Sequence, residues 1–193
     1  AEVLQKLEKL APNHPETLYL KAKMAYSRGD FKKAQETLQG LLRLAPDNPR
    51  VLELAGLTDF RLNAFAQAET SLLRALQLVP GMPMAQRGLV LSYAQTGQLD
   101  KAVAALPPEL EAQGTDAAML SVAGQVYLLR GEVEHAQRLF AQAAKLDPDD
   151  PAKRTTLAAS RLLTGDKETA LGELQNIAAS DAGTVADIAL VNA

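Results

Sequence analysis

The chain contains no cysteine. That excludes disulfides, thiolate metal sites and cysteine catalysis. Aromatic residues make up only 4% of it, while 47% of the residues are hydrophobic. Alanine is abundant, so close packing through small side chains explains the composition better than a large aromatic core. There are only two histidines, His14 and His135, and they lie far apart. No apolar run approaches the length of a membrane span. No basic stripe stands out and the net charge is −3, so nucleic acid is not an expected partner. The first ten residues, AEVLQKLEKL, form a charged amphipathic pattern and not a signal peptide. The glycines do not cluster into a phosphate-binding loop; they are spread at a regular spacing.

That spacing is what the chain does have. Steps of 34 link Gly29, Asn63, Gly97, Gly131 and Gly165. Asn63 is the one departure, and asparagine is the next residue after glycine to tolerate a left-handed backbone. The same step links Ala34, Ala68, Ala102, Ala136 and Ala170 without exception. It also links Ala22, Gly56, Val90, Gly124 and Ala158, and separately Leu38, Leu72, Leu106, Phe140 and Leu174. Ala117 to Asp150 shows the unit clearly: two short amphipathic helices with a turn at Gly131, closed by Asp147-Pro148. Gly124 and Ala136 are the small residues at the helix crossing, with Tyr127, Phe140 and Leu146 as bulk around it. A fixed period of this length with helix–turn–helix content predicts an all-α solenoid of antiparallel hairpins.

The pattern resembles the tetratricopeptide repeat, a helical hairpin of the same length. The matching residues are the small pairs (Gly56 with Ala68, Gly124 with Ala136), the large residue after the turn (Phe31, Phe65, Leu99, Val133) and the closing prolines Pro12, Pro46, Pro80 and Pro148. The family's aromatic near the start of the first helix is replaced by Leu18, Leu52, Gln86, Leu120 and Arg154. The resemblance implies a right-handed superhelix without enzymatic activity or cofactor. The expected organisation is a single array over residues 1–193. Full repeats span 15–48, 49–82, 83–116, 117–150 and 151–184. Residues 1–14 fit the second helix of a truncated repeat and 185–193 the start of a further one, which leads us to expect a fragment of a longer protein.

First helices are predicted at roughly 16–28, 50–62, 84–96, 118–130 and 152–164, and second helices at 31–44, 65–78, 99–106, 133–146 and 167–180. Asp30, Asp100 and Asp166 follow the turn glycines, where a carboxylate caps the next helix. Pro107-Pro108 predicts a break in the third hairpin's second helix within about two residues of Leu106. A short turn at Glu109-Leu110-Glu111 follows.

No catalytic, metal or cofactor-binding residues are expected. His14 falls in a linker, and His135 is placed on the outward side of its helix. The acidic run Asp147, Asp149, Asp150 lacks the glycine and distant glutamate of a calcium loop and reads as helix ending and capping. Binding is the better class. In the family that the repeat resembles, first helices line the concave face. The residues so implied are Tyr19, Lys23, Tyr26, Leu57, Phe60, Arg61, Arg87, Leu91 and Gln125, joined by Glu53, Gln95, Ser121 and Leu128. The last repeats turn apolar through Leu129, Leu162 and Leu163. A protein or peptide ligand in this groove is the expected partner. The family's carboxylate-gripping subtype is rejected, because its sites here hold Tyr19, Glu53, Arg87, Lys23, Leu57 and Leu91, with no asparagine. End-to-end self-association through bare ends is the competing expectation.

A narrower resemblance covers roughly residues 50–190. The runs FRLNAFAQAETSLLRALQLVP and KLDPDDPAKRTTLAASRLLTGD are similar to tetratricopeptide-repeat lipoproteins of bacterial exosortase (PEP-CTERM) systems. These accompany extracellular-polysaccharide and protein-sorting loci. The likeness implies a scaffold in the cell envelope, periplasmic or anchored to the outer membrane. The alternative is a cytoplasmic adaptor or regulatory module.

Overall fold

Proline opens four of the five first helices. Pro15, Pro49, Pro83 and Pro151 each occupy the first helical turn, where the missing N–H would have no partner in any case. The computed structural model describes residues 10–110 and 116–179, and all ten helices there pair into hairpins. The first helices are α1 (Pro15–Ser27), α3 (Pro49–Arg61), α5 (Pro83–Gln95), α7 (Ala117–Leu129) and α9 (Pro151–Leu163). The second helices are α2 (Phe31–Leu44), α4 (Phe65–Leu78), α6 (Leu99–Ala104), α8 (Val133–Leu146) and α10 (Lys167–Ala178). No strand occurs among the described residues. The class is all-α, as the period implies. Each first helix starts and ends one residue earlier than the sequence reading placed it. The reading kept proline outside the helix, whereas it is the first helical residue.

The five turns share one device. Gly29, Gly97, Gly131 and Gly165 have φ between +72° and +89°, and Asn63 has φ +58°. In each turn the next N–H reaches back to the carbonyl five residues earlier, as from Asp30 to Ala25 at 2.9 Å and from Glu132 to Tyr127 at 2.9 Å. This satisfies a carbonyl that the helix end would leave without a partner. Asp30 caps α2 by accepting from the Lys33 N–H at 3.4 Å. The cap of α6 is Gln98 and not Asp100, which lies inside the first turn. Asp166 occupies the cap position of α10, with no side-chain hydrogen bond there.

Contacts divide the chain into two compact units, residues 1–105 and 106–193. In the first, the core is built from alanines and leucines at matching repeat positions. Ala22, Ala34, Ala68, Leu72, Ala85, Val90 and Ala102 are fully excluded from solvent. Leu72 fills the space left by two glycines: a Cβ at Gly56 would lie 2.5 Å from its Cγ, and a Cβ at Gly88 3.1 Å from its Cδ1. Gly56 belongs to the same hairpin and Gly88 to the next, so one leucine serves both packing interfaces. In the second unit, Ala136, Ala143, Ala158 and Ala170 are fully buried, as are Leu139 and Leu174. There Gly124 makes room for the ring of Phe140. Leu146, expected as bulk at that crossing, is instead 59% exposed at the end of α8.

The helix break in the third hairpin is where the prolines put it. Helix α6 ends at Ala104, and the Leu110 N–H bonds the Pro107 carbonyl at 3.1 Å in a separate turn. Gln86, on the site where the family keeps an aromatic, donates its amide to the Ala105 carbonyl at 3.2 Å. It thereby satisfies a carbonyl that the early stop leaves over. Arg154, at the same place in the fifth hairpin, pairs with Glu173 of α10 at 2.6 Å. Polar residues at these two sites thus tie first helix to second helix through hydrogen bonds. The parts of the expected array over residues 1–9, 111–115 and 180–193 lie outside the described residues.

Candidate interaction surface

Within residues 10–105, neighbouring first helices pack against one another: α1 touches α3, and α3 touches α5. No comparable packing joins α2 to α4 or α4 to α6. The first helices therefore lie on the inner side of the curve in this unit, where consecutive hairpins approach most closely. A helix repeats its face after about eleven residues, or three turns. Arg50 and Arg61 are spaced by that interval, so they share one edge of α3.

Both arginines stack on rings of the preceding hairpin. The Arg50 guanidinium lies 4.6 Å from the centre of the Tyr19 ring, and that of Arg61 lies 4.4 Å from the centre of the Phe31 ring. Arg50 also approaches Glu16 at 3.8 Å. Tyr26 meets Phe31 edge-on at 5.4 Å, and Phe60 meets Phe65 likewise at 5.6 Å. Stacking of this kind orients a guanidinium while leaving its edge N–H groups open to an anion.

The implied site residues divide accordingly. Tyr19, Tyr26 and Phe60 are half-buried and take part in the ring contacts; Lys23 and Arg61 are exposed. Arg87 and Leu91 are half-buried on α5. Leu57 is mainly a packing residue, since a Cβ at Gly88 of the next hairpin would lie 2.8 Å from its Cδ2. Glu53 accepts from the Ala85 N–H at 3.1 Å and so caps α5. Gln125 is exposed on α7 in the other unit, where Leu129 and Leu163 are 59% and 63% exposed. A cleft of about 40 Å³ beside Tyr19 and Arg50 is far below the size of small-molecule sites.

Sequence reasoning overlooked Arg50, Gly88 and Asp59. Asp59 is only 9% exposed, and Gln35 of the preceding hairpin donates to its Oδ1 at 2.6 Å. Burial pushes its carboxyl above the ordinary range, and the Gln35 bond pulls it partly back. A raised folded-state value means that folding favours the proton. Stability from this group is then fully present in acid, below the ordinary carboxylate range, and is lost as pH rises through the raised value. Asp59→Asn removes the buried charge and keeps the shape. It is expected to raise the melting temperature at pH 7, by about 2–4 °C for each kcal/mol released, with the gain disappearing on acidification. A lower melting temperature at pH 7 would show the charge to be favourable where it is.

The remaining polar candidates are structural. His14 caps α1, its Nδ1 accepting from the Glu16 N–H at 3.2 Å. His135 is not outward: its ring lies 3.9 Å from that of Tyr127, centre to centre. Asp150 caps α9 by accepting from the Ala152 N–H at 2.9 Å, and Lys153 pairs with both Asp150 and Asp147. Hydrogen bonding to Lys153 holds the Asp150 carboxyl below its ordinary range. Asp147 and Asp150 are thus engaged by capping and by this lysine. Among the described residues no cluster has the composition of a metal site, and no helix is long and apolar enough to cross a membrane.

Comparison with known proteins agrees with this geometry. Tetratricopeptide-repeat profiles match residues 53–117 and 117–142, and the profile of anaphase-promoting complex, cyclosome, subunit 3 matches residues 3–75. No curated protein matches the sequence. Among solved structures, MamA from Desulfovibrio magneticus RS-1 is 20% identical, with 86% of this chain and 93% of that one covered and a TM-score of 0.71. PilW, described as a widely conserved type IV pilus biogenesis factor, is 20% identical over 93% of this chain and 86% of its own, with a TM-score of 0.80. YrrB, described as a TPR protein with an unusual peptide-binding site, is 15% identical over 98% of both chains, with a TM-score of 0.65. Likeness at these identities concerns the fold, and together with the repeat profiles it supports a tetratricopeptide-repeat protein.

Proposed function

We propose that this chain is a non-enzymatic scaffold that binds a protein or peptide along the inner side of its first helices. One observation carries the reading: α1, α3 and α5 stand side by side, and their shared face offers ordered rings and cations. Tyr19, Lys23, Tyr26, Phe60, Arg61, Arg87 and Leu91 would form the contact surface. Rings supply contact area, and arginines orient carboxylates or carbonyls. The unusual peptide-binding site of YrrB supports this class of ligand. We further propose a single array acting in the envelope of a Gram-negative bacterium, in polysaccharide export or protein sorting. The exosortase-type sequence likeness supports that part. A lipobox cysteine at the N-terminus of the full-length protein would favour it, and its absence would favour a cytoplasmic adaptor. The test of the surface is capture of the partner by the full-length protein, identified by mass spectrometry. Phe60→Ala with Arg87→Ala is expected to abolish capture and leave the molecular mass in solution unchanged. Capture that survives the double substitution overturns the assignment of this face.

A further inference from the structure

Charge is distributed unevenly over the chain. Residues 1–105 hold thirteen lysines and arginines against ten acids, and residues 106–193 hold seven against thirteen. Within residues 10–105, the first helices carry five lysines and arginines against three acids. The first helices thus hold a positive excess of two, on a chain whose net charge is −3. On the inner face the cations are Lys23, Arg50, Arg61 and Arg87. They are opposed there by Glu16 and by Glu53, whose Oε1 is already engaged by the Ala85 N–H.

We propose that the ligand of this face is an acidic, extended peptide segment that places one carboxylate on Arg50 and another on Arg61. The proposal rests on the binding reading above and specifies its chemistry. Two arguments carry it. The first is order. Both guanidinium groups are fixed by ring stacking, so little side-chain entropy is lost when an anion arrives at their edges. Lys23 is exposed on α1 and no ion pair involving it exists among the described residues. The second is spacing. Eleven residues of α3 separate Arg50 from Arg61, which at about 1.5 Å per residue is about 16 Å. An extended peptide rises about 3.3 Å per residue. Acidic residues about five positions apart would therefore meet both stacks, with the intervening backbone over Lys23 and Tyr26. Glu16, 3.8 Å from Arg50, sits at one end of this track and would have to share that guanidinium.

The test uses the full chain and synthetic twelve-residue peptides of Gly, Ser and Val, read by fluorescence anisotropy at low salt. One peptide carries two glutamates five positions apart; others carry glutamine or lysine there, or two glutamates in adjacent positions. The spaced acidic peptide is expected to bind at least tenfold more tightly than any other, with affinity falling as salt is added. Arg50→Gln with Arg61→Gln should remove that preference while circular dichroism stays unchanged. Equal binding of the glutamine or lysine peptide overturns the proposal, and so does an acidic preference that survives the arginine substitutions. If the arginine variant instead converts a self-associated chain to monomer in sedimentation, the face belongs to a second copy and the proposal fails. Partner capture lost with Phe60→Ala and Arg87→Ala but indifferent to Arg50 and Arg61 would overturn this inference alone and leave the binding surface standing.

Discussion

Leu72→Ala is expected to destabilise residues 10–105 by about 2–5 kcal/mol, the range for deleting a buried leucine side chain. Leu72 is fully excluded from solvent, and its branches fill the hollows over Gly56 and Gly88. Truncation therefore empties two interfaces together, one within the second hairpin and one between the second and third. Both hollows are lined partly by glycine, which has no side chain to move into the gap, so relaxation recovers little. Because stability in a repeat array is close to a sum of hairpin and interface terms, losing an interface also weakens cooperativity. Amide exchange should accelerate in α5 as well as in α3 and α4. Leu78, 38% exposed on the same helix, gives the contrast: Leu78→Ala should stay within about 0.5 kcal/mol. A loss below about 1 kcal/mol in urea unfolding of Leu72→Ala, or exchange confined to one hairpin, would show that Leu72 does not join them.

The hairpins were legible because their causes repeat. A turn needing positive φ recurs every 34 residues, and so does an alanine at a helix crossing. A period detects what recurs and is blind to what occurs once. The eleventh position of the repeat holds Ala25, Asp59, Tyr93, Tyr127 and Arg161. Asp59 is buried there because Gln35 of the neighbouring hairpin supplies a donor, a pairing across 24 residues that no local pattern contains. Its signal was an acid inside the apolar run VLELAGLTDF. Gly88 likewise stands outside the repeated small positions, because it accommodates Leu57 and Leu72 of the previous hairpin. The arginines of the inner face were partly legible. Arg61 fell on the implied groove, while Arg50 was missed, since its role comes from Tyr19 one hairpin away. Gln86 and Arg154 replace an aromatic in the pattern, and the carbonyl and carboxylate that satisfy them lie on the partner helix or just beyond its end. Substitutions that break a periodic rule are best read by asking which group across the interface they can reach.

Gly124→Ala should lower stability, although alanine is the better helix former. Within a helix, replacing glycine by alanine gains roughly 0.5–1 kcal/mol. At Gly124 that gain is opposed by the ring of Phe140. The added methyl would lie 2.7 Å from Cδ1 and 2.9 Å from Cζ, and closer still to Cε1. Phe140 is 1% exposed and enclosed by the core, so the ring has no vacant rotamer to take. Overpacking of this kind costs about 1–3 kcal/mol, which exceeds the propensity gain. Gly172 supplies the control in the same half of the chain. It lies inside α10, and a Cβ there meets nothing within 4 Å. Gly172→Ala should therefore raise stability by about the propensity term, so the same substitution has opposite signs at two helical glycines. Phe140→Leu introduced together with Gly124→Ala should recover part of the loss, because a shorter side chain leaves room for the methyl. The coupling is read as the departure from additivity in a double-mutant cycle. If Gly124→Ala is as stabilising as Gly172→Ala, or the pair proves additive, the close approach of α7 and α8 at this point is not what fixes the fourth hairpin.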